Sequence, residues 1–298
     1  MPKPPKFEGG GLSEGEGRFR TTEEKDVAAT LGALEELNEE RVTEEEAREI
    51  FGERFFGSKE VQEIFHPKPY NHPPIPFSHK ELLRAERNGA TLLLQCDNYC
   101  TNPEGKSPRY KPLTLQSIQH VQFVKTGAHL WDIPQHLQNG SQTPRSGWKL
   151  VFNSLSGADK GAVEQLEILF VELNRLLCAP GEQLPQKYQE AQAELKSKKS
   201  EIQSLFSSLS TLAVDEMLLK LKASELLLEP AVEIAYQLLL ARKTPGQFRT
   251  TYGTIRTNTK AGGGALVLCS VNDGHFTCNW DSLDSRAPKL GVRVTRMG

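Results

Sequence analysis

The stretch ALVLCSVNDGHFTCNW (residues 265–280) decides how the end of the chain folds, because two alternating runs flank an Asp-Gly pair. Asp-Gly is typical of two-residue hairpin turns, which need positive φ angles. Such a turn pairs Asn272 with His275 and Cys269 with Cys278, and it sets an apolar face against a mostly polar one. A three-residue loop would mix the two faces, so we predict the two-residue turn. The apolar face then consists of Val267, Cys269, Val271, Phe276, Cys278 and Trp280.

In this register Cys269 lies directly opposite Cys278 at a non-hydrogen-bonded position, where paired strands approach most closely. Three roles therefore stay open for the two cysteines: small buried hydrophobic residues, a cross-strand disulfide, or a reactive pair. We favour the core role, because the five cysteines of the chain are widely spaced, unlike the framework of a secreted disulfide-rich protein.

Composition narrows the class of protein. The chain has 298 residues, of which 37% are hydrophobic and 25% charged, which is ordinary globular composition and enough for two compact units. The formal net charge of -2 provides no general basic field, so we expect no nucleic acid as a partner. Neither a signal peptide nor an apolar run of bilayer length is found, so we expect a cytoplasmic protein with no membrane partner.

Four segments are predicted along the chain. Residues 1–20 are rich in Gly, Pro and Glu and read as a disordered tail. Residues 21–74 carry short helices, with capping boxes at Thr21/Glu24 and Thr43/Glu46, and end in a Pro-rich linker. The other two segments are a small α+β unit at 75–155 and a helical plus β domain at 156–298, and the sequence leaves open whether they share one core.

The unit at 75–155 combines a helix that starts at the Ser78/Glu81 capping box with strands at 90–96 and 147–152, while 113–121 fits a helix or a strand. The unit at 156–298 is first helical and then β. Its predicted helices are 159–177, 186–209, 213–228 and 230–242, and its predicted strands are 248–257, 265–271, 275–280 and 290–296. The predicted fold class is therefore α+β.

No catalytic motif stands out in the sequence, and we expect no cofactor. There is no phosphate loop, GxSxG or HExxH. Cys96 and Cys100 are four residues apart rather than three, so we do not predict a metal site there. Asp132 and His136 are separated by Pro134, which disrupts the helical face that an acid/base pair would need.

Two sets of residues carry a resemblance to known families. The stretches PIPFSHKELLRAERNGATLLLQCD, TPRSGWKLVFNSLSG and FRTTYGTIRT, within residues 43–298, resemble an uncharacterised family of bacterial hypothetical proteins, which implies no particular activity. The Gly-rich connector Gly262–Gly264, Trp280 and the LGVR stretch at 290–293 are similar to the C-terminal part of the C-type-lectin fold. That fold occurs in formylglycine-generating enzymes and in the variable proteins of diversity-generating retroelements.

The lectin-like resemblance implies either an enzyme or a binding protein. Formylglycine-generating enzymes have a cysteine pair about five residues apart, whereas Cys269 and Cys278 are nine apart, so the enzyme is the weaker alternative. A third alternative is a helical adaptor or oligomerisation protein built on residues 159–242.

We expect a non-enzymatic binding protein for an unknown protein or small-molecule ligand, with no catalytic residues and no metal. Its site would be the polar hairpin face and the loop after Trp280, where short polar groups surround an aromatic residue. The retroelement resemblance adds the expectation that this surface is diversified. The predicted site residues are Asn272, Asp273, His275, Thr277, Asn279, Asp281, Ser282, Asp284, Ser285 and Arg286.

Overall fold

A computed structural model describes one unit, Arg41–Gly298. Within this unit, the structure does not describe residues 70–71, 119–130, 133–141, 159, 209–210, 243–252, 261–265, 273–274 and 282–289. The predicted tail at 1–20 and the Thr21/Glu24 capping box lie outside the described residues.

Helices form the middle of the chain and part of its beginning. A helical turn also covers residues 115–118, within the stretch whose pattern left helix and strand open. The described helices are α1 (Glu44–Phe51), α2 (Ser58–Phe65), α3 (His79–Arg87), α4 (Ala162–Leu177), α5 (Gln186–Ser208), α6 (Thr211–Lys220), α7 (Lys222–Leu227) and α8 (Ala231–Arg242).

Most strands join one mixed sheet with the order β1-β2-β6-β10-β7-β8-β9-β5, and β3 and β4 form a separate hairpin. The α+β class predicted from the sequence is confirmed. The strands are β1 (Phe55–Phe56), β2 (Ala90–Gln95), β3 (Asn98–Cys100), β4 (Tyr110–Pro112), β5 (Trp131–Asp132), β6 (Gly147–Ser156), β7 (Gly253–Lys260), β8 (Leu266–Asn272), β9 (His275–Asp281) and β10 (Leu290–Met297).

The capping boxes at the starts of α1 and α3 are confirmed. Glu46 N donates to Thr43 Oγ1 at 3.2 Å, and the Glu46 carboxylate accepts from Thr43 N at 2.8 Å. Ser78 and Glu81 exchange the same bonds at 3.3 and 2.9 Å. Each pair satisfies backbone amides that a helix start leaves without a partner.

The predicted helix over 213–228 is two helices, because the chain is extended at Leu221 (φ -69°, ψ 137°). The Leu221 side chain is buried, and the hydroxyl of Ser224 donates to the Leu218 carbonyl at 2.6 Å, which satisfies an acceptor freed by the break. The core contact therefore overrides the helical pattern of the sequence at this point.

The segments 75–155 and 156–298, for which the sequence left a shared core open, contribute strands to one sheet. Strand β10 pairs antiparallel with β6 of the earlier segment and parallel with β7 of its own. Val292 and Val294 of β10 are 1% and 2% exposed, in the same core as Leu150 of β6. Strand β10 therefore joins the two segments through one sheet and one hydrophobic core.

Within the described residues, no helix combines the length and the apolar composition that crossing a bilayer requires. Helix α8 instead packs inside the protein, in contact with α2, β7 and β8. Its residues from Ala231 to Leu240 are all buried, which explains why it is largely apolar all round.

Candidate functional site: the C-terminal hairpin and its buried support

The hairpin register predicted from ALVLCSVNDGHFTCNW is confirmed. Strands β8 and β9 pair antiparallel with Asn272 opposite His275, which leaves two residues between them. Cys269 lies opposite Cys278, and Val267 lies opposite Trp280. The hydrophobic pattern was therefore sufficient to fix the register of this strand pair.

The register brings half of the predicted site residues into one paired segment. Asn272, His275, Thr277, Asn279 and Asp281 lie on β8 and β9 at alternate positions, with Ser270 opposite Thr277 and Leu268 opposite Asn279. The side chains of these two strands are outside the description. The remaining predicted site residues also lie outside the described residues: Asp273, Ser282, Asp284, Ser285 and Arg286.

The hairpin is held between two other strands. On one side β8 pairs with β7, where Cys269 is opposite Ile255, whose own side chain is only 2% exposed. On the other side β9 pairs in parallel with β5, where Asp132 is opposite Thr277. The core role of Cys269 and Cys278 stays a prediction, but the pairing aligns one of them with a buried neighbour.

A group of buried charged residues lies between the sheet and α8, and we call it the Glu229 network. Lys149 is on β6, Arg293 is on β10, and the carboxylates of Glu229 and Glu233 flank the start of α8. With the exception of Arg145, every residue of the network is 6% exposed or less. The network consists of Arg145, Lys149, Glu229, Glu233, Gln237 and Arg293.

Glu229 is the centre of the network. Its Oε1 accepts from Lys149 Nζ at 2.6 Å and from Gln237 Nε2 at 2.7 Å. Its Oε2 accepts from Nε and Nη2 of Arg293 at 2.9 and 2.7 Å. Arg293 Nη2 also donates to Gln237 Oε1. One carboxylate thus joins β6, β10 and α8.

Glu233 links the same network to the surface. Lys149 Nζ donates to Glu233 Oε2, and Arg145 binds both carboxylate oxygens through Nε (2.8 Å) and Nη2 (3.1 Å). The Arg145 side chain is 33% exposed, while that of Glu233 is fully buried. Arg145 also donates from its backbone N to Glu233 Oε1 at 3.0 Å, so this pair fixes the chain just before β6.

The electrostatic balance keeps Glu229 ionised. Burial acts to raise the pKa of Glu229, but the charges of Arg293 and Lys149 and the hydrogen bonds from Lys149 and Gln237 outweigh it and lower the pKa to about 2. The pKa of Glu233 is also lowered, against the opposing effect of burial, by Lys149 and Arg145. Both side chains are therefore ionised at neutral pH. They accept hydrogen bonds from fixed partners and do not hold a proton that they could donate.

Hydrogen bonds from backbone and side chains connect β7 to the segment that contains Glu229. Asn258 N donates to the Glu229 carbonyl at 3.2 Å, and Asn258 Nδ2 donates to the Leu228 carbonyl at 3.0 Å. Ala231 N, at the start of α8, donates to Thr259 Oγ1 at 2.8 Å. Since β8 pairs directly with β7, the hairpin extends from a strand that is anchored to the network.

The Glu229 network was not predicted from the sequence, although the sequence contains a signal for it. Glu229, Glu233 and Gln237 recur every four residues in an otherwise apolar helical stretch, and Lys149 interrupts the apolar strand GWKLVF. Polar residues at such positions are found buried only when they are paired.

Other buried polar groups also lie on or beside β2. Tyr236 OH donates to the Leu94 carbonyl at 2.9 Å and lies 3.6 Å from Cys96 Sγ. Burial raises the pKa of the Cys96 thiol to about 12, so it is protonated at neutral pH. The Gln95 side-chain amide is fully buried, and neither of its polar atoms finds a hydrogen-bond partner in the described structure.

Comparison of the chain with protein-family models, with curated proteins and with solved structures finds no match in any of the three.

Proposed function

We propose that this protein is a non-enzymatic binding protein that recognises a ligand or partner through the polar face of the β8–β9 hairpin and the loop that follows Trp280. The observation that carries this proposal is the register. Ser270 and Asn272 alternate along β8, and Thr277 and Asn279 alternate along β9. Because alternate residues of a strand face the same side, the register assigns these polar residues to one face of the hairpin. A contiguous row of short polar groups is suited to hydrogen-bonding a partner.

The support beneath the hairpin favours recognition over catalysis. A binding surface gains affinity when its backbone is ordered before the partner arrives, because less conformational entropy is lost on binding. Here Asn258 ties β7 to the Leu228 and Glu229 carbonyls, Thr259 ties β7 to the start of α8, and the hairpin extends from β7. The buried carboxylates of the network accept bonds from fixed cations and are not exposed to a substrate.

The enzyme alternative from the lectin-like resemblance receives less support. In the confirmed register Cys269 and Cys278 are directly opposed across the hairpin, which is not the arrangement of two cysteines spaced about five apart along one chain. Thiol-dependent catalysis would also require reactive sulfur on the solvent side of the sheet. We therefore retain the binding protein as the proposal.

The test compares three proteins immobilised in equal amounts: the wild type, Thr277→Ala/Asn279→Ala, and a control, Lys198→Ala/Glu201→Ala. The control pair forms an exposed salt bridge on α5, at 2.9 Å, and lies away from the hairpin in sequence. Cell extract is passed over each, and bound molecules are identified by mass spectrometry. We expect molecules that bind the wild type and the control but not the hairpin variant. Equal binding to the hairpin variant and the control would refute the proposal.

The finer proposal, that the surface is diversified, has a genomic test. Diversification requires a near-copy of the DNA that encodes about 265–298, differing mainly at adenines, beside a reverse transcriptase gene. If neither is found in the genome that encodes the chain, the diversified surface is abandoned and a fixed binding surface is left.

A further inference from the structure

Two cysteines occupy directly opposed positions in the β8–β9 hairpin, where Cys269 is the register partner of Cys278. The pair Asn272–His275 closes the two-residue turn and is therefore hydrogen-bonded, and hydrogen-bonded and non-hydrogen-bonded pairs alternate along the strands. The cysteine pair is three positions further along β8, so it is a non-hydrogen-bonded pair. This kind of pair brings the opposed Cα atoms closer together than the other kind does.

The spacing of such a pair suits a disulfide bond. Opposed Cα atoms at a non-hydrogen-bonded position are about 4.5 Å apart, and disulfides join Cα atoms that are about 4.4 to 6.8 Å apart. Opposed residues also belong to the same face of a strand pair, so the register assigns both cysteines to the face that carries Val271 and Phe276. A cross-strand bond requires both the spacing and the shared face.

The cysteines outside this hairpin are placed differently. Cys96, Cys100 and Cys178 are free thiols. Cys96 is fully buried, and burial raises its pKa to about 12, which leaves almost no thiolate at neutral pH. Cys100 pairs across the β3–β4 hairpin with Tyr110 rather than with a cysteine. Among the described strand pairs, a cysteine lies opposite a cysteine only in the β8–β9 hairpin.

The hairpin lies near one end of the sheet, which gives a reagent a way to reach the pair. Only β5 lies beyond β9 in the sheet order, and in the described structure β5 covers β9 at Phe276 and Thr277 alone. Segments held by few contacts open locally at a lower free-energy cost than the centre of a sheet does. Cys278 directly follows the covered positions, so local opening of β9 would reach its thiol without unfolding the rest of the sheet.

We propose that Cys269 and Cys278 form a reversible cross-strand disulfide by exchange with a low-molecular-weight disulfide such as oxidised glutathione. The thiolate of one cysteine attacks the external disulfide, forms a mixed disulfide with one half of it and releases the other half. The thiolate of the second cysteine then attacks the protein sulfur of the mixed disulfide, which forms the cross-strand bond and releases the second half. The two cysteines lose two electrons and two protons, and the external disulfide gains them as two thiols.

The two cysteines then have two redox states. The role of small buried hydrophobic residues belongs to the reduced pair, and the disulfide is the oxidised state of the same pair. The bond would fix the register of β8 against β9, because a slip of one residue would move one sulfur to the other face. It lies in the hairpin that the proposed function uses, yet its formation needs no binding partner, so either can fail without the other.

The first test equilibrates the full chain with mixtures of reduced and oxidised glutathione, blocks the remaining thiols with N-ethylmaleimide and digests the protein with trypsin. Cleavage after Lys260 and Arg286 gives one peptide that contains Cys269 and Cys278 and no other cysteine. We expect mass spectrometry to find this peptide without maleimide and two hydrogen atoms lighter than its reduced form. A peptide that carries maleimide or glutathione on both cysteines at every glutathione ratio would overturn the proposal.

The matched control is Cys269→Val/Val271→Cys, which keeps both thiols and the apolar composition of the face but moves one thiol opposite Phe276. The two thiols are then diagonal neighbours with Cα atoms about 7–8 Å apart, which a disulfide does not bridge without backbone movement. The wild type should be half oxidised at a ratio of squared thiol to disulfide that is about tenfold or more higher than for the control. Equal oxidation of the two proteins would refute the role of direct opposition and the proposal with it.

Thermal unfolding gives a second readout. The bond closes a short loop, and the oxidised wild type should unfold about 5 °C above the reduced wild type. Cys178→Ser should show the same shift, since Cys178 takes no part in the bond, whereas Cys269→Ser should show none. A shift that persists in Cys269→Ser, or one that is lost in Cys178→Ser, would assign the bond to other cysteines and overturn the proposal.

Discussion

Replacing Glu229 with glutamine removes the charge at the centre of the buried network and keeps the shape of the side chain. The variant retains one carbonyl oxygen but places an amide N–H₂ where the second oxygen was. That amide would face either Lys149 or Arg293, and both are donors without acceptor capacity. Arg293 would be left with Gln237 as its only other side-chain acceptor in the described structure.

The expected loss of stability is large for an isosteric change. Removing one partner of a buried ion pair costs about 3–5 kcal/mol, because the remaining charge stays buried and uncompensated. A second route gives a similar figure. The pKa of Glu229 is about 2, against the usual 4.5. A difference of that size corresponds to about 3 kcal/mol.

Urea denaturation followed by tryptophan fluorescence measures this loss, since Trp148 is 2% exposed and lies next to Lys149 in β6. The control is Glu201→Gln, which breaks the exposed Lys198–Glu201 pair and should cost less than about 1 kcal/mol. A loss below about 1 kcal/mol for Glu229→Gln would refute the reasoning, because the network would then contribute no more than a surface pair.

Four further outcomes are expected from the same structure. Because the pKa of Glu229 is lower in the folded chain, the wild type should lose stability as the pH falls from about 4.5 towards 2, and pH-dependent urea curves should show a smaller loss for Glu229→Gln. Gln95→Met should stabilise the protein by about 1 kcal/mol in thermal unfolding, since it removes a buried amide that finds no hydrogen-bond partner among the described residues; a destabilised variant would contradict this. Tyr236→Phe should cost about 1 kcal/mol in urea by removing the bond to the Leu94 carbonyl, and an unchanged midpoint would exclude a role for that bond. Ser78→Ala should cost about 1 kcal/mol by calorimetry through loss of the α3 cap, with Ser78→Thr as the retained-cap control.

Some elements could be predicted from the sequence because interactions between nearby residues determine them. The Ser78/Glu81 box specifies a helix start through bonds that span only three residues, so the local sequence is enough to predict it. The β8–β9 register follows from an Asp-Gly pair and an alternating pattern within 16 residues. In both cases the residues that determine the structure are neighbours in the sequence.

Other features depend on contacts between distant residues. Glu229 and Arg293 are 64 residues apart, and Lys149 and Glu229 are 80 apart, so no local pattern specifies their pairing. The union of 75–155 with 156–298 has the same cause, because β6 and β10 pair only in three dimensions. A charged residue read alone is assigned to the surface, and only its partner shows that it can be buried.

The position of β10 between β6 and β7 has a consequence for synthesis of the protein. Strand β6 can pair with β2 once both have left the ribosome, but its other edge can be filled by β10 only when residues 290–297 are made, more than 130 residues later. An edge strand that contains GWKLVF is a template for unwanted pairing with other chains. The edge of β6 that β10 covers in the folded chain is therefore open to such pairing until residues 290–297 have been made.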